Sequence, residues 1–182
     1  MNMLHRTFLV MCTLFVAGKK SNAQDLPVVD SVDLQRYAGK WYELARLPNR
    51  FQEDCAGNVT ATYELQRNGE IKVVNRCLKT DGDTSEAEGI ARRAGGDEPN
   101  TKLKVRFAPS FLSFLPMVWG DYWIIDLAPD YSYAVIGEPN REYLWVLART
   151  PELDKDILHE ILERVKKKGY DINNLIYTRQ TQ

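Results

Sequence analysis

Residues 58–78 of the chain read NVTATYELQRNGEIKVVNRCL, two short runs of alternating side chains separated by a tight turn. In the first run, apolar residues such as Val59 and Tyr63 occupy every second position, which is the period of a half-buried strand. Asn68 and Gly69 stand between the runs, and this pair favours a hairpin because both residues tolerate positive φ. The stretch therefore predicts two antiparallel strands.

The same pattern of short alternating segments and turn signals continues on both sides of this hairpin. It predicts eight successive strands, at residues 41–46, 58–66, 71–78, 85–93, 102–107, 121–127, 131–136 and 142–149. Such strands with short connections are typical of an all-β, antiparallel up-and-down barrel. The period then changes, since Ile157, Ile161 and Val165 form the apolar stripe of a helix that Gly169 ends. We expect this C-terminal α-helix to pack on the outside of the barrel, before a short final strand at residues 175–179.

The N-terminal segment has the composition of a signal peptide. Arg6 precedes an apolar run at residues 7–18 that is too short to span a bilayer, and Ser21 and Ala23 suit a signal peptidase. We therefore place a signal peptide at residues 1–23 and a single domain at residues 24–182. The mature protein is expected to be exported, to the periplasm or outer membrane if bacterial and otherwise by secretion.

Composition argues against several classes of protein. The 182 residues suit one domain, and 24 basic against 25 acidic side chains lack the basic excess that nucleic-acid binding needs. No apolar run reaches 18 residues, so no helix is expected to span a membrane. An eight-stranded outer-membrane barrel is also disfavoured, because residues 102–107 carry three basic side chains on one face and the helix needs an outer surface to pack on.

Two cysteines, Cys55 and Cys77, remain once Cys12 is removed with the signal peptide. In an exported chain this pair predicts one disulfide, with two free buried thiols as the alternative. No metal site is expected, because two thiolates need further ligands and His159 is the one histidine left in the mature sequence.

We expect no catalytic residues. The mature sequence has no plausible nucleophile–base pair and no glycine-rich phosphate loop, and a single acid such as Glu43 inside a barrel is not a mechanism. An enzyme is therefore the less favoured interpretation, and no cofactor is predicted.

Two segments, in the first and the last predicted strand of the barrel, carry a family resemblance. Residues 39–43, GKWYE, and residues 143–151, YLWVLARTP, resemble the first and third signature regions of the lipocalin family. The turn at residues 126–133 takes the place of the second region without its Thr-Asp-Tyr form. The resemblance extends from about Val32 to Arg179 and is closest to the bacterial lipocalins and the apolipoprotein D group.

The resemblance implies structural roles for the signature residues Gly39, Trp41 and Arg149. Trp41 is expected to plug the closed end of the barrel, with Arg149 across its ring as a cation–π partner. If the first strand starts at that end, alternating strand directions bring four loops to the mouth. These loops are residues 47–57, 79–84, 108–119 and 138–141.

Candidate ligand contacts follow from the resemblance and from strand parity. Tyr63, Tyr122 and Trp145 match cavity positions of the apolipoprotein D group, and Ile124 and Tyr143 share their faces. Parity counted from Trp41 predicts that Glu43 and Ala45 point inward, and it favours the Leu103 and Phe107 face for the interior of its strand. The predicted ligand-binding residues are Glu43, Tyr63, Tyr122, Ile124, Tyr143 and Trp145.

The mouth loop at residues 108–119 reads APSFLSFLPMVW and is densely apolar. Two interpretations are open for Phe111, Phe114 and Trp119. They fold into the mouth as core, or they form a lip that makes peripheral contact with a membrane or gates an acyl chain.

The resemblance implies a binding protein for small hydrophobic ligands. An eight-stranded barrel has room for one small ligand, and aromatic walls suit an amphipathic molecule with an apolar body. We therefore expect binding and transport or storage of lipids, such as fatty acids or lysophospholipids, with a role in maintaining the cell envelope. A haem or pigment carrier is the alternative, and the sequence leaves a monomer and a homodimer both open.

Overall fold

The computed structural model describes residues 25–181, so the signal peptide predicted at residues 1–23 lies outside the described residues. All eight predicted barrel strands are present, although several bounds differ by a few residues. The strands are β1 (Gly39–Arg46), β2 (Cys55–Leu65), β3 (Ile71–Lys79), β4 (Thr84–Arg93), β5 (Lys102–Arg106), β6 (Gly120–Leu127), β7 (Tyr133–Gly137), β8 (Leu144–Ala148) and β9 (Ile176–Tyr177), and the helices are α1 (Leu34–Tyr37) and α2 (Lys155–Lys167). The short helix α1 is not anticipated by the sequence pattern, and Asp33 caps it by accepting hydrogen bonds from the backbone N–H groups of Gln35 and Arg36.

The strands close into a barrel, which confirms the predicted fold class. Each strand from β1 to β7 pairs antiparallel with the next strand, and β8 pairs with β1. β9 adds to β1 near the mouth, and the Arg179 carbonyl then accepts a hydrogen bond from the Asn58 N–H. The C-terminal segment therefore bridges β1 and β2 beyond the point where these two strands pair.

Alternating side chains of the strands build two apolar clusters. The inner cluster fills the closed half of the barrel and includes Trp41, Tyr63 and Ile124. The outer cluster lies between the barrel wall and α2, whose Ile161 and Val165 are fully buried in it. The helix therefore packs on the outside of the barrel, as its apolar stripe predicts.

A β-bulge in β1 corrects one of the parity predictions. Glu43 lies opposite Leu147 of the inner cluster, but Ala45 lies opposite Val146 of the outer cluster, because the register with β8 shifts between them. The bulge inserts one extra residue, which turns every later side chain of the strand to the other face. The prediction that Ala45 points inward is therefore wrong, and Arg46 takes the inward position instead.

The strand directions set the two ends of the barrel. β1 runs from the closed end to the mouth, so the loops after β1, β3, β5 and β7 surround the mouth. Cys55 and Cys77 form a disulfide close to this end, which confirms the predicted bond and makes the alternative of two free thiols wrong. Across residues 25–181 no helix combines the length and the apolar character needed to cross a membrane.

Candidate functional site

The closed end of the barrel is sealed by Trp41 and Arg149. The Trp41 ring is fully buried, and its Nε1 donates a 2.8 Å hydrogen bond to the Tyr37 carbonyl. The Arg149 guanidinium lies 3.8 Å from the centre of this ring, in the stacking contact that the sequence predicts. Its Nη2 also donates to the carbonyls of Tyr37 and Ala38, so a single side chain holds both the ring and the segment that follows α1.

Gly39 makes this seal possible. Its φ is +98°, and a Cβ at this position would lie 3.3 Å from Arg149 Nη1. A side chain would therefore be strained by the backbone and crowded by the guanidinium. The backbone conformation and the approach of Arg149 thus explain why the first signature region has a glycine at this position.

Three tyrosines form the floor of the barrel interior. The hydroxyls of Tyr37 and Tyr122 are 2.6 Å apart, and the Tyr122 hydroxyl donates to the Tyr63 hydroxyl at 2.9 Å. Burial raises the pKa of Tyr63 to about 12 and raises the pKa of Tyr37 and Tyr122 well above the usual tyrosine range. All three hydroxyls are therefore neutral at physiological pH. The three hydroxyl groups have three protons and form two hydrogen bonds with one another, so one O–H of the three is left to donate to another acceptor.

A buried polar network occupies the β1 side of the interior, between the floor and the mouth. Glu43 Oε1 accepts a 2.9 Å hydrogen bond from Arg46 Nη1 and a second bond from the Thr178 hydroxyl. Glu43 Oε2 accepts from Gln52 Nε2 at 2.6 Å, and Gln52 Oε1 accepts from Trp145 Nε1 at 2.8 Å. Glu43 and Arg46 are only 2% and 5% exposed, so the ion pair is desolvated and depends on these hydrogen bonds.

The inner surface near the mouth is aromatic and partly open to solvent. The Tyr143 and Trp145 rings stack with their centres 6.0 Å apart, and Phe51 lies against Tyr143 at 5.7 Å. On the opposite part of the wall Phe107 is 43% exposed, and Ala87, which shares the inner face by register, is also exposed. The closed half is thus packed solid, while the mouth half offers apolar surface.

Phe107 owes its position to a glycine on the neighbouring strand. A Cβ on Gly89 would lie 2.7 Å from the Phe107 ring and 2.7 Å from the Arg106 carbonyl oxygen. No real Cβ tolerates such approaches, so the absence of a side chain on β4 makes room for the ring.

The apolar loop at residues 108–119 does not fold into the mouth as core. Phe111 and Phe114 are 73% and 76% exposed, on a loop of two 3-10 turns, Ser110–Leu112 and Pro116–Val118. The interpretation that treats these residues as core is therefore wrong.

Trp119 departs from its predicted place in the mouth. Its ring lies 4.0 Å from the Arg92 guanidinium and 5.2 Å from that of Arg106, and its Nε1 donates to the Ser113 carbonyl. It shares the outward face with Asp121, which pairs with Lys104. Trp119 therefore fastens the base of the loop to the outer wall, because strand alternation before β6 turns it away from the interior.

The six predicted ligand-binding residues lie in three different parts of the barrel interior. Tyr63, Tyr122 and Ile124 lie together in the inner cluster, Glu43 lies in the polar network, and Tyr143 and Trp145 line the mouth. Whether a ligand touches them stays a prediction.

Tyr37, Arg46 and Gln52 belong to the same interior and escaped the sequence prediction. Tyr37 precedes the first strand, the bulge in β1 hides the inward direction of Arg46, and Gln52 lies in a loop without periodicity. Among residues 25–181 no group of three or more His, Cys, Asp or Glu side chains is placed to hold a metal ion.

Comparison with known proteins identifies the family. The family model of the lipocalin-like domain matches residues 32–180. Temperature-induced lipocalin-1 of Arabidopsis thaliana is 39% identical over 159 residues, which cover 87% of this chain and 84% of that protein. Outer membrane lipoprotein Blc of Vibrio cholerae is 37% identical over 175 residues, which cover 95% of this chain and 97% of that protein.

Apolipoprotein D of Mus musculus is 32% identical over 163 residues, covering 85% of this chain and 80% of that protein. The solved structure of insecticyanin from the tobacco hornworm Manduca sexta has the same fold. It superposes with a TM-score of 0.65 at 19% identity, covering 87% of this chain and 86% of that one. The matches confirm the resemblance to bacterial lipocalins and apolipoprotein D, and the chain belongs to the lipocalin family.

Proposed function

We propose that this protein binds one lipid molecule, such as a fatty acid or a lysophospholipid, reversibly inside its barrel and thereby transports or stores it. Lipocalins bind small hydrophobic ligands, and the chain belongs to that family. The observation that carries the proposal is the contrast inside the barrel, where a packed floor lies below an aromatic inner surface that solvent reaches at Phe107 and Ala87. An acyl chain would cover this surface.

Burial of the acyl chain is the driving force of the proposed binding. Each CH₂ group that leaves water contributes about 0.8 kcal/mol, so a chain of ~16 carbons gains over 10 kcal/mol before costs are subtracted. Loss of translational freedom and ordering of the ligand offset much of this gain, which leaves an affinity on the order of micromolar. Transport then needs no chemical step, only a difference in lipid concentration between loading and release.

The proposal extends to where the protein works. We expect export through residues 1–23, followed by a role at the cell envelope. One relative, Blc of Vibrio cholerae, is named an outer membrane lipoprotein, which supports an envelope location.

Residues 108–119 are proposed to touch a lipid bilayer. Phe111, Phe114 and Met117 together expose on the order of 400 Å² of apolar surface, which is about half of what each partner of a stable dimer buries. Arg92, which is exposed at the base of the loop, adds positive charge that favours anionic lipids. A bilayer therefore suits the loop better than a second copy of the chain.

The membrane contact is tested with vesicles of phosphatidylcholine containing phosphatidylglycerol. Replacing both Phe111 and Phe114 by Ser is expected to reduce co-sedimentation with the vesicles and to slow lipid uptake. Tyr177→Ser, at an exposed aromatic residue of β9, is the matched control and should change neither. Unchanged behaviour of the double variant would exclude the loop as a membrane contact.

Lipid binding itself is tested by blocking the inner face. Ala87→Trp places a large ring inside the mouth, whereas Glu86→Trp places the same ring on the outer face of the same strand. Each protein is delipidated, incubated with oleate and examined by native mass spectrometry. We expect one bound oleate per chain in the wild type and in Glu86→Trp, but none in Ala87→Trp. Absence of bound lipid in all three proteins would refute the proposed function, as would equal binding by both variants.

A further inference from the structure

A cavity of about 320 Å³ lies at the rim of the mouth and holds two guanidinium groups. It is formed between the β1–β2 loop and β9, and its lining includes Arg46, Asn49, Arg50, Gln52, Glu53 and Ile176. Arg46 is 5% exposed and belongs to the buried network, whereas Arg50 is exposed on the rim. The cavity therefore joins one buried and one solvated positive charge.

Arg46 has a buried donor without a partner. Its Nη1 donates to Glu43 Oε1 at 2.9 Å and to the Thr178 hydroxyl at 3.4 Å, and its Nη2 donates to the Gln52 carbonyl at 3.2 Å. Its Nε, also buried, donates to no acceptor within residues 25–181. An unpaired N–H of a buried guanidinium is costly, so this donor indicates an acceptor supplied from outside the chain.

Both carboxylate oxygens of Glu43 are held by donors other than this one. Oε1 already accepts from Arg46 Nη1 and Thr178, and Oε2 accepts from Gln52. A rotation of the carboxylate toward Nε would break these bonds. The vacant donor of Arg46 is therefore fixed in place by the neighbours of Glu43.

The shape of the guanidinium limits the kind of acceptor. The Nε–H and the adjacent Nη2–H point in the same direction, and this fork matches the two oxygens of a carboxylate or a phosphate. Glu43 balances the charge of Arg46, so the charge of a bound anion would be balanced by Arg50. Glu53 is the acidic group of the lining, and its exposure lets solvent screen it.

Gln52 connects this cavity to the interior of the barrel. It lines the cavity, and its side chain bonds both Trp145 and Glu43 on the inner face. The cavity therefore lies one side chain away from the aromatic wall at Trp145, close enough for the polar end and the apolar chain of one amphipathic molecule to occupy both.

We infer that the rim cavity binds the anionic head group, a carboxylate or a phosphate, of the lipid carried in the barrel, with Arg46 as the fork and Arg50 as the second charge. This inference rests on the proposed function and adds a selectivity to it. Neutral lipids of the same chain length bind more weakly, because they leave Arg46 Nε unpaired.

The test uses three ligands that share one tail: dodecanoate, dodecyl phosphate and dodecanol. Calorimetric titration of the wild type is expected to give about tenfold tighter binding for at least one anion than for the alcohol. Which anion binds more tightly identifies the head group as carboxylate or phosphate. Equal affinity for all three ligands would overturn the inference while leaving the proposed function intact, and binding of none would refute the function itself.

Variants separate the head-group site from general effects of charge. Arg46→Lys keeps the positive partner of Glu43 but removes the fork, so the ratio of dodecanoate affinity to dodecanol affinity is expected to fall several-fold. Arg50→Gln should weaken anion binding in the same direction without affecting the fold. Arg67→Gln, which removes an exposed charge from the hairpin at the closed end, is the matched control and should change nothing. Anion preference retained in both rim variants would overturn the assignment.

Discussion

The closed end and the mouth of the barrel are formed by the same strands, yet their polar groups differ in how completely they are hydrogen-bonded. At the closed end the Arg149 guanidinium is stacked on Trp41 and donates to four backbone carbonyls, those of Lys40, Arg36, Tyr37 and Ala38. At the rim the Arg46 guanidinium is equally held on one side, but its Nε has no acceptor in the described part of the chain.

Apolar groups show the same contrast. Trp41 is fully buried at the closed end, whereas Phe107, Phe111 and Phe114 near the mouth keep between 43% and 76% of their surface in water. Exposed apolar surface and unpaired donors cost stability, and a packed region elsewhere must supply that stability. The packed closed end therefore supplies most of the stability of the fold. The mouth keeps exposed apolar surface and an unpaired hydrogen-bond donor, which a ligand or a membrane can cover.

The largest effect is expected from Trp41→Ala at the closed end. Removing a fully buried ring leaves a cavity and an unstacked Arg149, which should lower the free energy of unfolding by about 4 kcal/mol. Trp119→Ala is the matched change on the outer wall near the mouth and should cost less than about 1 kcal/mol. Urea denaturation followed by circular dichroism measures both, and similar costs for the two tryptophans would remove the distinction between the ends.

The disulfide is expected to have the next largest effect. Cys55 and Cys77 are 22 residues apart in sequence, and closing a loop of this size stabilises the fold by roughly 3 kcal/mol in the chain-entropy model. The double variant with both residues replaced by Ala should therefore unfold at lower urea concentration. If the mouth depends on this bond for its shape, bound dodecanoate will also be lost while the folded state persists. Retention of full affinity would show that the bond serves stability alone.

Sequence patterns predict the regular parts of this molecule well, and the reason is physical. Alternation along 58–66 and the apolar stripe of α2 each repeat over several residues, so the buried face of each element is predicted from its period. Ile161 and Val165 of the stripe are fully buried, whereas Ile157 in the first turn of the helix is 42% exposed, so its predicted place in the packed face is wrong. Trp41 and Arg149 meet as the resemblance implies. Repetition and family motifs thus account for the barrel, its closed end and the helix.

The candidate site is less predictable because single residues decide it. One extra residue in β1 sends Ala45 outward and Arg46 inward, and a bulge of this kind leaves no periodic trace in the sequence. Gln52 reaches Glu43 from an irregular loop. The exposure of Phe111 depends on the two 3-10 turns of its loop, and apolar composition alone favours core and lip equally.

Alkaline pH is expected to destabilise the tyrosine floor of the barrel interior. Burial raises the pKa of Tyr63 to about 12, whereas tyrosine in an unfolded chain titrates near 10. The folded state therefore keeps a proton that the unfolded state has lost. Stability should be complete below about pH 10 and should fall as pH rises toward 12, by up to about 2 kcal/mol for this residue.

Tyr63→Phe sharpens the test of this pH dependence. The variant should show a smaller loss of stability between these pH values, as measured by urea denaturation at each pH. Tyr177→Phe, which changes an exposed ring, should behave as the wild type does. An unaltered slope in Tyr63→Phe would place the alkaline sensitivity elsewhere in the molecule.

The smallest effect on stability is expected from Phe107→Ala at the mouth. Because 43% of this side chain is already in water, its removal should lower the free energy of unfolding by no more than about 1 kcal/mol. Under the proposed function the same change should weaken dodecanoate binding several-fold, because it removes part of the wall that the acyl chain covers. Gly89→Ala makes the opposite change in the same place, since its Cβ would meet both the ring and the Arg106 carbonyl. It should cost more stability than Phe107→Ala, and the reverse order would mean that the ring, not the space made for it, holds this part of the wall.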